Sequence, residues 1–465
     1  MKKIINLILL TTLIGFVSGQ NIVDSWNGAI KVSGKSLRIV FHIVETDSGY
    51  TATFDSPDQG GYGFPLDQIS FENNNLKIRD SRSQFYYSGT LKNDTIKGSL
   101  KQKGATFPLH LTRGNIEKPR RPQEPQKPYP YYEEDVRFDN PTAPGVTLAG
   151  TLTLPQQEGV FPAAILISGS GQQNRNEEIL GHKPFLIIAD FLTRNGFAVL
   201  RYDDRGAAAS TGVADTCNTY DFSTDAEAAF QYLQTRKEIN PKQIGFIGHS
   251  EGGAIAPMVA ARKKDVASVI LLAAPGLRGD SLMFLQNKLV AQSEGASEAQ
   301  LETIMNLRVR QNSIIFNTED VTETEEGLAA LFTEFIDANS PPNMPQKEKD
   351  EWVKRSVLEC ASSWYRFFIK YDPAPVLAQV KCPVLALNGD KDTQIAADEN
   401  LNAIQKILHQ AGNPNVTIKK FPDLNHLFQT AETGAVSEYG TIEETFSQEV
   451  LEVMLNWLKE QYKIK

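Results

Sequence analysis

The 465-residue sequence predicts an α/β fold, a mostly parallel sheet with helices on both faces, preceded by a small antiparallel β-rich domain. Three observations carry that prediction. From about residue 133 to the C-terminus, short apolar β-branched runs alternate with helical patterns, as crossover-connected parallel strands do. Residues 20–114 instead show strand-type alternation, with Leu37, Ile39, Phe41 and Ile43 set between Arg38, Val40, His42 and Val44. Between them, residues 115–132 place Pro119, Pro122, Pro125, Pro128 and Pro130 among charged residues, which favours an extended linker over helix or sheet.

Taken in order, residues 1–19 read as a secretory signal peptide. Met1-Lys2-Lys3 is the positive start, Ile4 to Val17 an apolar run too short for a comfortable membrane span, and Val17-Ser18-Gly19 the small residues of a cleavage site. The expected location is secreted or periplasmic, with no membrane span and no cysteine after the cleavage site to carry lipid. Within residues 20–114, Phe85 to Leu91 and Thr95 to Leu100 flank an Asn93-Asp94 turn, giving a small sandwich or open barrel. Trp26, Tyr62, Phe64, Phe85 and Tyr86 suit core packing better than an aromatic binding face.

In the α/β region the expected strands are Thr147 to Leu154, Ala163 to Ile167, Phe197 to Arg201, Gln243 to Ile247, Ser268 to Leu272, Val384 to Asn388 and Val416 to Lys420. Residues 277–375 interrupt the alternation with several amphipathic helices, marked by Leu282, Leu285 and Leu289, then Leu301, Met305 and Leu307, then Leu328, Leu331, Phe332, Phe335 and Ile336. An insertion there forms a cap over the edge of the sheet where sites in open α/β folds lie.

That edge carries a chemical constellation. Gly248-His249-Ser250-Glu251-Gly252 sits between the strand Gln243 to Ile247 and a small-residue helix, the setting of a nucleophile elbow, where glycines keep side chains out of a crowded turn. A serine hydroxyl needs a base, and the base needs a carboxylate to hold its tautomer. His409 and His426 are the histidines after the elbow. His409 falls on a helical pattern and is expected to face solvent, whereas His426 ends the turn-rich Phe421-Pro422-Asp423-Leu424-Asn425 after a strand. The acid is Asp392 in Gly389-Asp390-Lys391-Asp392, with Asp390 as the fallback. Oxyanion donors are expected from the backbone N–H of Glu251 and from Ser168-Gly169-Ser170-Gly171-Gln172, with Ser170 first and Gly171 next. His182 reads as structural, and Asp203-Asp204-Arg205 as a loop-stabilising ion-pair cluster.

Charge and cysteine content narrow the partners. The formal charge of −9 becomes −11 once Lys2 and Lys3 leave, which disfavours nucleic acid and anionic membrane. Cys217, Cys360 and Cys382 allow at most one intrachain disulfide, and no metal-site spacing occurs, so no cofactor is expected.

From about residue 133 onward the chain resembles secreted bacterial α/β-hydrolase esterases related to serine aminopeptidase-like and dipeptidyl peptidase-like hydrolases. The matching blocks are Ser168 to Gly171, Gly181-His182-Lys183-Pro184-Phe185, Arg201 to Gly206, Gly248 to Gly252, Asn388 to Asp392 and Asn425-His426-Leu427-Phe428. The resemblance implies an α/β-hydrolase fold with a helical cap and a carboxylesterase acting on short acyl esters. It also implies Ser250, Asp392 and His426 as the triad, with Ser170 or Gly171 and Glu251 at the oxyanion hole. A serine peptidase uses the same triad, and a binding protein with a relic hydrolase domain is the non-enzymatic alternative.

Overall fold

The computed structural model describes residues 21–464 apart from 33–34, 48, 60, 82–84, 103–104 and 117–119, and its contacts divide the chain after residue 118 into two units. The expected signal peptide, residues 1–19, lies outside the described residues.

The first unit is one antiparallel sheet of nine strands, β1 (Asp24–Val32), β2 (Lys35–Thr46), β3 (Gly49–Ser56), β4 (Gly61–Pro65), β5 (Gln68–Glu72), β6 (Asn75–Asp80), β7 (Phe85–Lys92), β8 (Thr95–Gln102) and β9 (Ala105–Arg113). Their order is β4-β3-β2-β1-β9-β8-β7-β6-β5. The pleat sends alternate side chains to opposite faces, so Phe85 and Tyr87 are buried while Tyr86 between them is exposed. Phe41 on β2 meets Tyr87 on β7 with ring centroids 5.4 Å apart, although three strands separate them in the sheet. The sheet therefore curls into a half-barrel around its own core. It is the open-barrel alternative, because the β1–β9 pairing joins the two halves that a sandwich would keep apart. Trp26 and Phe85 lie in that core while Phe64 and Tyr86 are exposed, so the five aromatics do not share one face.

The second unit has eight strands, β10 (Tyr132–Asp139), β11 (Thr147–Leu154), β12 (Phe161–Ile167), β13 (Ala198–Tyr202), β14 (Ile239–His249), β15 (Ser268–Leu272), β16 (Val384–Gly389) and β17 (Val416–Phe421), in the order β10-β11-β13-β12-β14-β15-β16-β17. The β10–β11 and β11–β13 pairs are antiparallel and all later pairs parallel. Its helices are α1 (Pro184–Arg194), α2 (Thr219–Gln234), α3 (Gly252–Arg262), α4 (Gly279–Ser293), α5 (Glu298–Asn317), α6 (Val321–Asn339), α7 (Gln346–Cys360), α8 (Ser363–Lys370), α9 (Ala374–Leu377), α10 (Ala397–Gln410) and α11 (Gln448–Tyr462). One sheet face packs on α2, α3 and α10 through Phe230, Val259 and Ile404, the other on α1 and α11 through Ile188 and Met454. This is the α/β-hydrolase fold, with α4 to α9 inserted between β15 and β16. The insertion has its own core, in which Leu328, Phe332 and Ile369 are fully or almost fully buried.

Two features depart from the sequence reading. Strand β10 was not foreseen, because only Val136 and Phe138 of its eight residues turn into the core and the rest are polar or half-exposed. The proline-rich segment has neither helix nor strand from residue 120 to 131, yet it is strapped down. Arg121 donates to the carbonyls of Leu180, Gly181, Gly440 and Ile442, and Gln123 accepts from the N–H groups of Thr445 and Phe446. Proline removes backbone donors, and the Arg121 guanidinium supplies donors in their place. Cys217, Cys360 and Cys382 are all free thiols.

Candidate active site

Ser250 occupies the turn between β14 and α3 with a left-handed φ of 52°. A side chain there is strained and persists only where its surroundings fix it. They do so closely. A Cβ on Gly248 would meet the carbonyl oxygen of Gly252 at 2.1 Å, and one on Gly252 would meet that of Ile167 at 2.2 Å. The Ser250 N–H is anchored to the Leu272 carbonyl at 2.9 Å, which holds the elbow against β15.

The loops after β16 and β17 bring in the other two groups. His426 Nδ1–H donates to Asp392 Oδ2 at 2.8 Å, and both residues are 4 % exposed. Asp392 Oδ1 accepts from the N–H groups of Gln394 and Ile395, each at 2.8 Å, so the carboxylate is fixed before it orients the imidazole. That bond sets the tautomer, leaving Nε2 as the basic nitrogen. His426 and Ser250 line one cavity of about 190 Å³, together with Gly169 and Ser170. The alternatives lie elsewhere. Asp390 is exposed and accepts from the Asp423 N–H at 2.7 Å, and His409 is exposed on α10.

Ser170 borders this cavity and also a larger one of about 420 Å³, which Gly171 and Glu251 line without reaching the smaller. Among the described residues the backbone N–H groups of Ser170 and Glu251 are given to no other protein acceptor. The Glu251 side chain turns away from Ser250. Its Oε1 accepts from Thr219 Oγ1 at 2.6 Å and Trp364 Nε1 at 2.8 Å. Burial raises the Glu251 carboxyl above its ordinary range and pushes Asp204 up to about 8.

Sequence reasoning missed a second buried pair behind the serine. His249 places Nδ1 2.8 Å from Glu177 Oε1 and Nε2 2.9 Å from the His426 carbonyl. Both neighbours are acceptors only, so both ring nitrogens carry protons and His249 is an imidazolium. Burial opposes that charge, but the Glu177 carboxylate overcomes it and the His249 pKa lies above the usual range. Glu177 Oε1 also accepts from the Gly169 N–H at 2.6 Å, and Glu177 itself holds a left-handed φ of 50°. The pair thus ties the glycine turn after β12 to the backbone of His426. In the sequence His249 is the free position of a pentapeptide and Glu177 one polar residue in a loop, so only the proximity of the two loops reveals them.

The charged cluster after β13 pairs outward. Arg205 binds Asp225 at 2.6 Å with both side chains buried, and Arg175 binds Asp203 at 2.8 Å. His182 is fully buried, with Nδ1 2.9 Å from Thr445 Oγ1 and Nε2 2.8 Å from the Tyr439 carbonyl.

The half-barrel holds a second serine–histidine–aspartate run. Ser25 Oγ is 2.8 Å from His42 Nδ1, and His42 Nε2 is 2.8 Å from Asp55 Oδ2. Ser25, however, lies within a regular strand and its N–H is given to Asp24 Oδ1. Strand pairing consumes the backbone donors that an oxyanion needs, so this run reads as a cross-strand polar ladder.

A family model described as Serine aminopeptidase, S33 matches residues 184–432, more than half of the chain. Esterase EstD of Thermotoga maritima is 27 % identical over 303 residues, 65 % of this chain and 63 % of that protein, so the chain spans less than two thirds of that relative's length. Among solved structures, the α/β hydrolase GrgF from Penicillium sp. sh18 aligns at 20 % identity and a TM-score of 0.43, over 71 % of this chain and 99 % of that one. The esterase Pf2001 of Pyrococcus furiosus aligns at 16 % identity and a TM-score of 0.41, over 71 % and 93 % respectively.

Proposed function

The chain belongs to the Serine aminopeptidase, S33 family, and from that membership and its site geometry we propose that it is a serine carboxylesterase working through an acyl-enzyme. The observation that carries the reading is the His426–Asp392 bond of 2.8 Å beside a left-handed Ser250 that lines the same cavity as His426. In this reading Ser250 Oγ attacks the ester carbonyl carbon while His426 Nε2 takes its proton, and the carbonyl π-electrons move onto oxygen. The N–H groups of Glu251 and Ser170, with Gly171 the adjacent alternative, hold that oxyanion. As it collapses, the C–O bond to the alcohol breaks and His426 returns the proton to the leaving oxygen. Water then repeats the sequence on the acyl-serine and releases the acid. Asp392 stays ionised throughout.

The family description favours a second reading, a serine aminopeptidase. Such an enzyme needs an open carboxylate for the substrate ammonium, whereas Glu251 is already engaged by Thr219 and Trp364. The two readings separate on p-nitrophenyl acetate, butyrate and octanoate against aminoacyl p-nitroanilides. We expect turnover of the esters, and a loss of about 10⁴-fold or more in kcat for Ser250→Ala. Faster turnover of the anilides selects the peptidase, and activity that survives the substitution removes Ser250 from the mechanism. The positive start and apolar run of residues 1–19 support export to the periplasm or medium, which sequencing the N-terminus of the exported protein checks.

A further inference from the structure

The negative charge of the chain is not spread evenly. Residues 20–114 carry eleven Lys or Arg against nine Asp or Glu, so the excess of acid lies outside them. Within the half-barrel the cations also gather on one surface. The alternation that buries Leu76, Ile78, Tyr87, Ile96 and Leu100 turns Lys77 and Arg79 of β6, Lys92 of β7, and Lys97 and Lys101 of β8 to the outer face, where all five are exposed. The other outward positions on these strands are Tyr86 and residues of the Asn, Ser and Thr types, with no carboxylate and no aliphatic side chain. Strand pairing sets Tyr86 directly between Arg79 and Lys101.

The fold itself does not call for this face. Lysines often guard exposed sheet edges, but β6, β7 and β8 are interior strands. Among the described residues Asp24 and Asp94 bind Arg113, Asp58 binds Arg38 and Asp55 binds His42, and no ion pair reaches the five cations. Strand geometry puts the backbone of Arg79 roughly 7 Å from that of Lys77 and roughly 10 Å from that of Lys101, about one Debye length at physiological salt, so their fields add. Such a face repels itself and gains from an anionic partner.

We propose that the outer face of β6, β7 and β8 docks an acidic polysaccharide, a chain of carboxylated sugars. The cations meet its carboxylates, and the hydroxyls of Tyr86, Ser88 and Ser99 face its hydroxyls. A membrane surface needs aliphatic side chains to enter it, and a single-stranded nucleic acid needs successive rings to stack its bases. This face offers none of the first and a single ring, Tyr86, for the second. The assignment concerns the first unit alone and stands apart from the esterase reading.

Binding of the full chain to immobilised polygalacturonate tests the assignment. The wild type should bind it and not neutral dextran, and raising NaCl from about 0.05 M to about 0.5 M should release it. Lys77→Gln, Arg79→Gln, Lys97→Gln and Lys101→Gln together should weaken binding about tenfold or more. The same charge change at exposed residues of the second unit, Lys347→Gln, Lys354→Gln, Arg355→Gln and Lys406→Gln, should alter it by less than about twofold. If the first quadruple variant does not fold, Lys77→Gln with Lys101→Gln removes half of its charge and should lose part of the affinity. Absence of wild-type binding, equal weakening by the two quadruple variants, or an affinity undiminished in the double variant overturns the proposal. So does tighter binding to oligothymidylate or to phosphatidylglycerol vesicles than to polygalacturonate.

Discussion

Ser250, His426 and Asp392 are held by different means, and each means has its own vulnerability. The serine is placed by backbone strain, the histidine by one bond to a carboxylate, and the carboxylate by two backbone N–H groups. Behind them the Glu177–His249 pair reaches both the Gly169 turn and the His426 backbone. In the esterase reading, removing it misplaces oxyanion donors and base together. Glu177→Ala should lower kcat about 100-fold with little change in KM, since a displacement of about 1 Å at a reacting centre costs that much. Glu177→Gln keeps an acceptor for both contacts and should recover part of the loss. Equal kcat for Ala, Gln and wild type would reduce the pair to a packing feature. Ser250, Asp392 and His426 stand out in the sequence because each follows a strand and carries distinctive neighbours. Glu177 and His249 do not, because their partnership exists only when two loops 72 residues apart close on each other.

At the level of elements, the parallel strands were readable wherever both sheet faces are covered, since burial on two sides writes an unbroken apolar run such as Val269, Ile270, Leu271 and Leu272 in β15. Strand β10, at the edge of the sheet, lost that signal to its charged residues. Helices α4, α5 and α6 were marked by leucine spacing. Helix α7 was hidden by a largely polar sequence, with Cys360 its one fully buried residue. Helix α8, which carries Trp364, has eight residues and is too short for a dependable period. The elbow glycines were legible for a reason that can be measured. Gly252→Ala sets a methyl group against the Ile167 carbonyl, so the strand–helix contact must open, at an expected cost of about 3 kcal/mol in urea unfolding. A cost below about 0.5 kcal/mol, typical of exposed sites, would show that the contact is slack.

For the whole second unit, acid sensitivity should trace to His182. Burial, with a further contribution from the Arg121 charge, holds its imidazole neutral down to about pH 4, whereas an unfolded histidine titrates at about 6.5. Between those values the unfolded chain binds a proton that the folded unit does not. Stability from this residue is thus complete above pH 6.5, falls as the pH drops toward 4, and levels off below. His182→Gln should flatten the urea midpoint across that window, and an unchanged slope would place the acid sensitivity elsewhere. His182 and Arg121 reach the same C-terminal stretch, His182 at Tyr439 and Thr445 and Arg121 at Gly440 and Ile442. The strap and the buried histidine therefore stabilise one region of the unit.

The central claim is that Ser250 is the nucleophile, and the chain contains its own competitor in Ser25, which has a histidine and an aspartate in line but whose own backbone N–H is taken by Asp24. Fluorophosphonate labelling followed by peptide mapping of the intact protein decides between them in one measurement. A single adduct on Ser250, formed in step with loss of ester hydrolysis, is the predicted result. An adduct on Ser25 or any other residue, or hydrolysis that persists after Ser250 is fully labelled, would contradict the account.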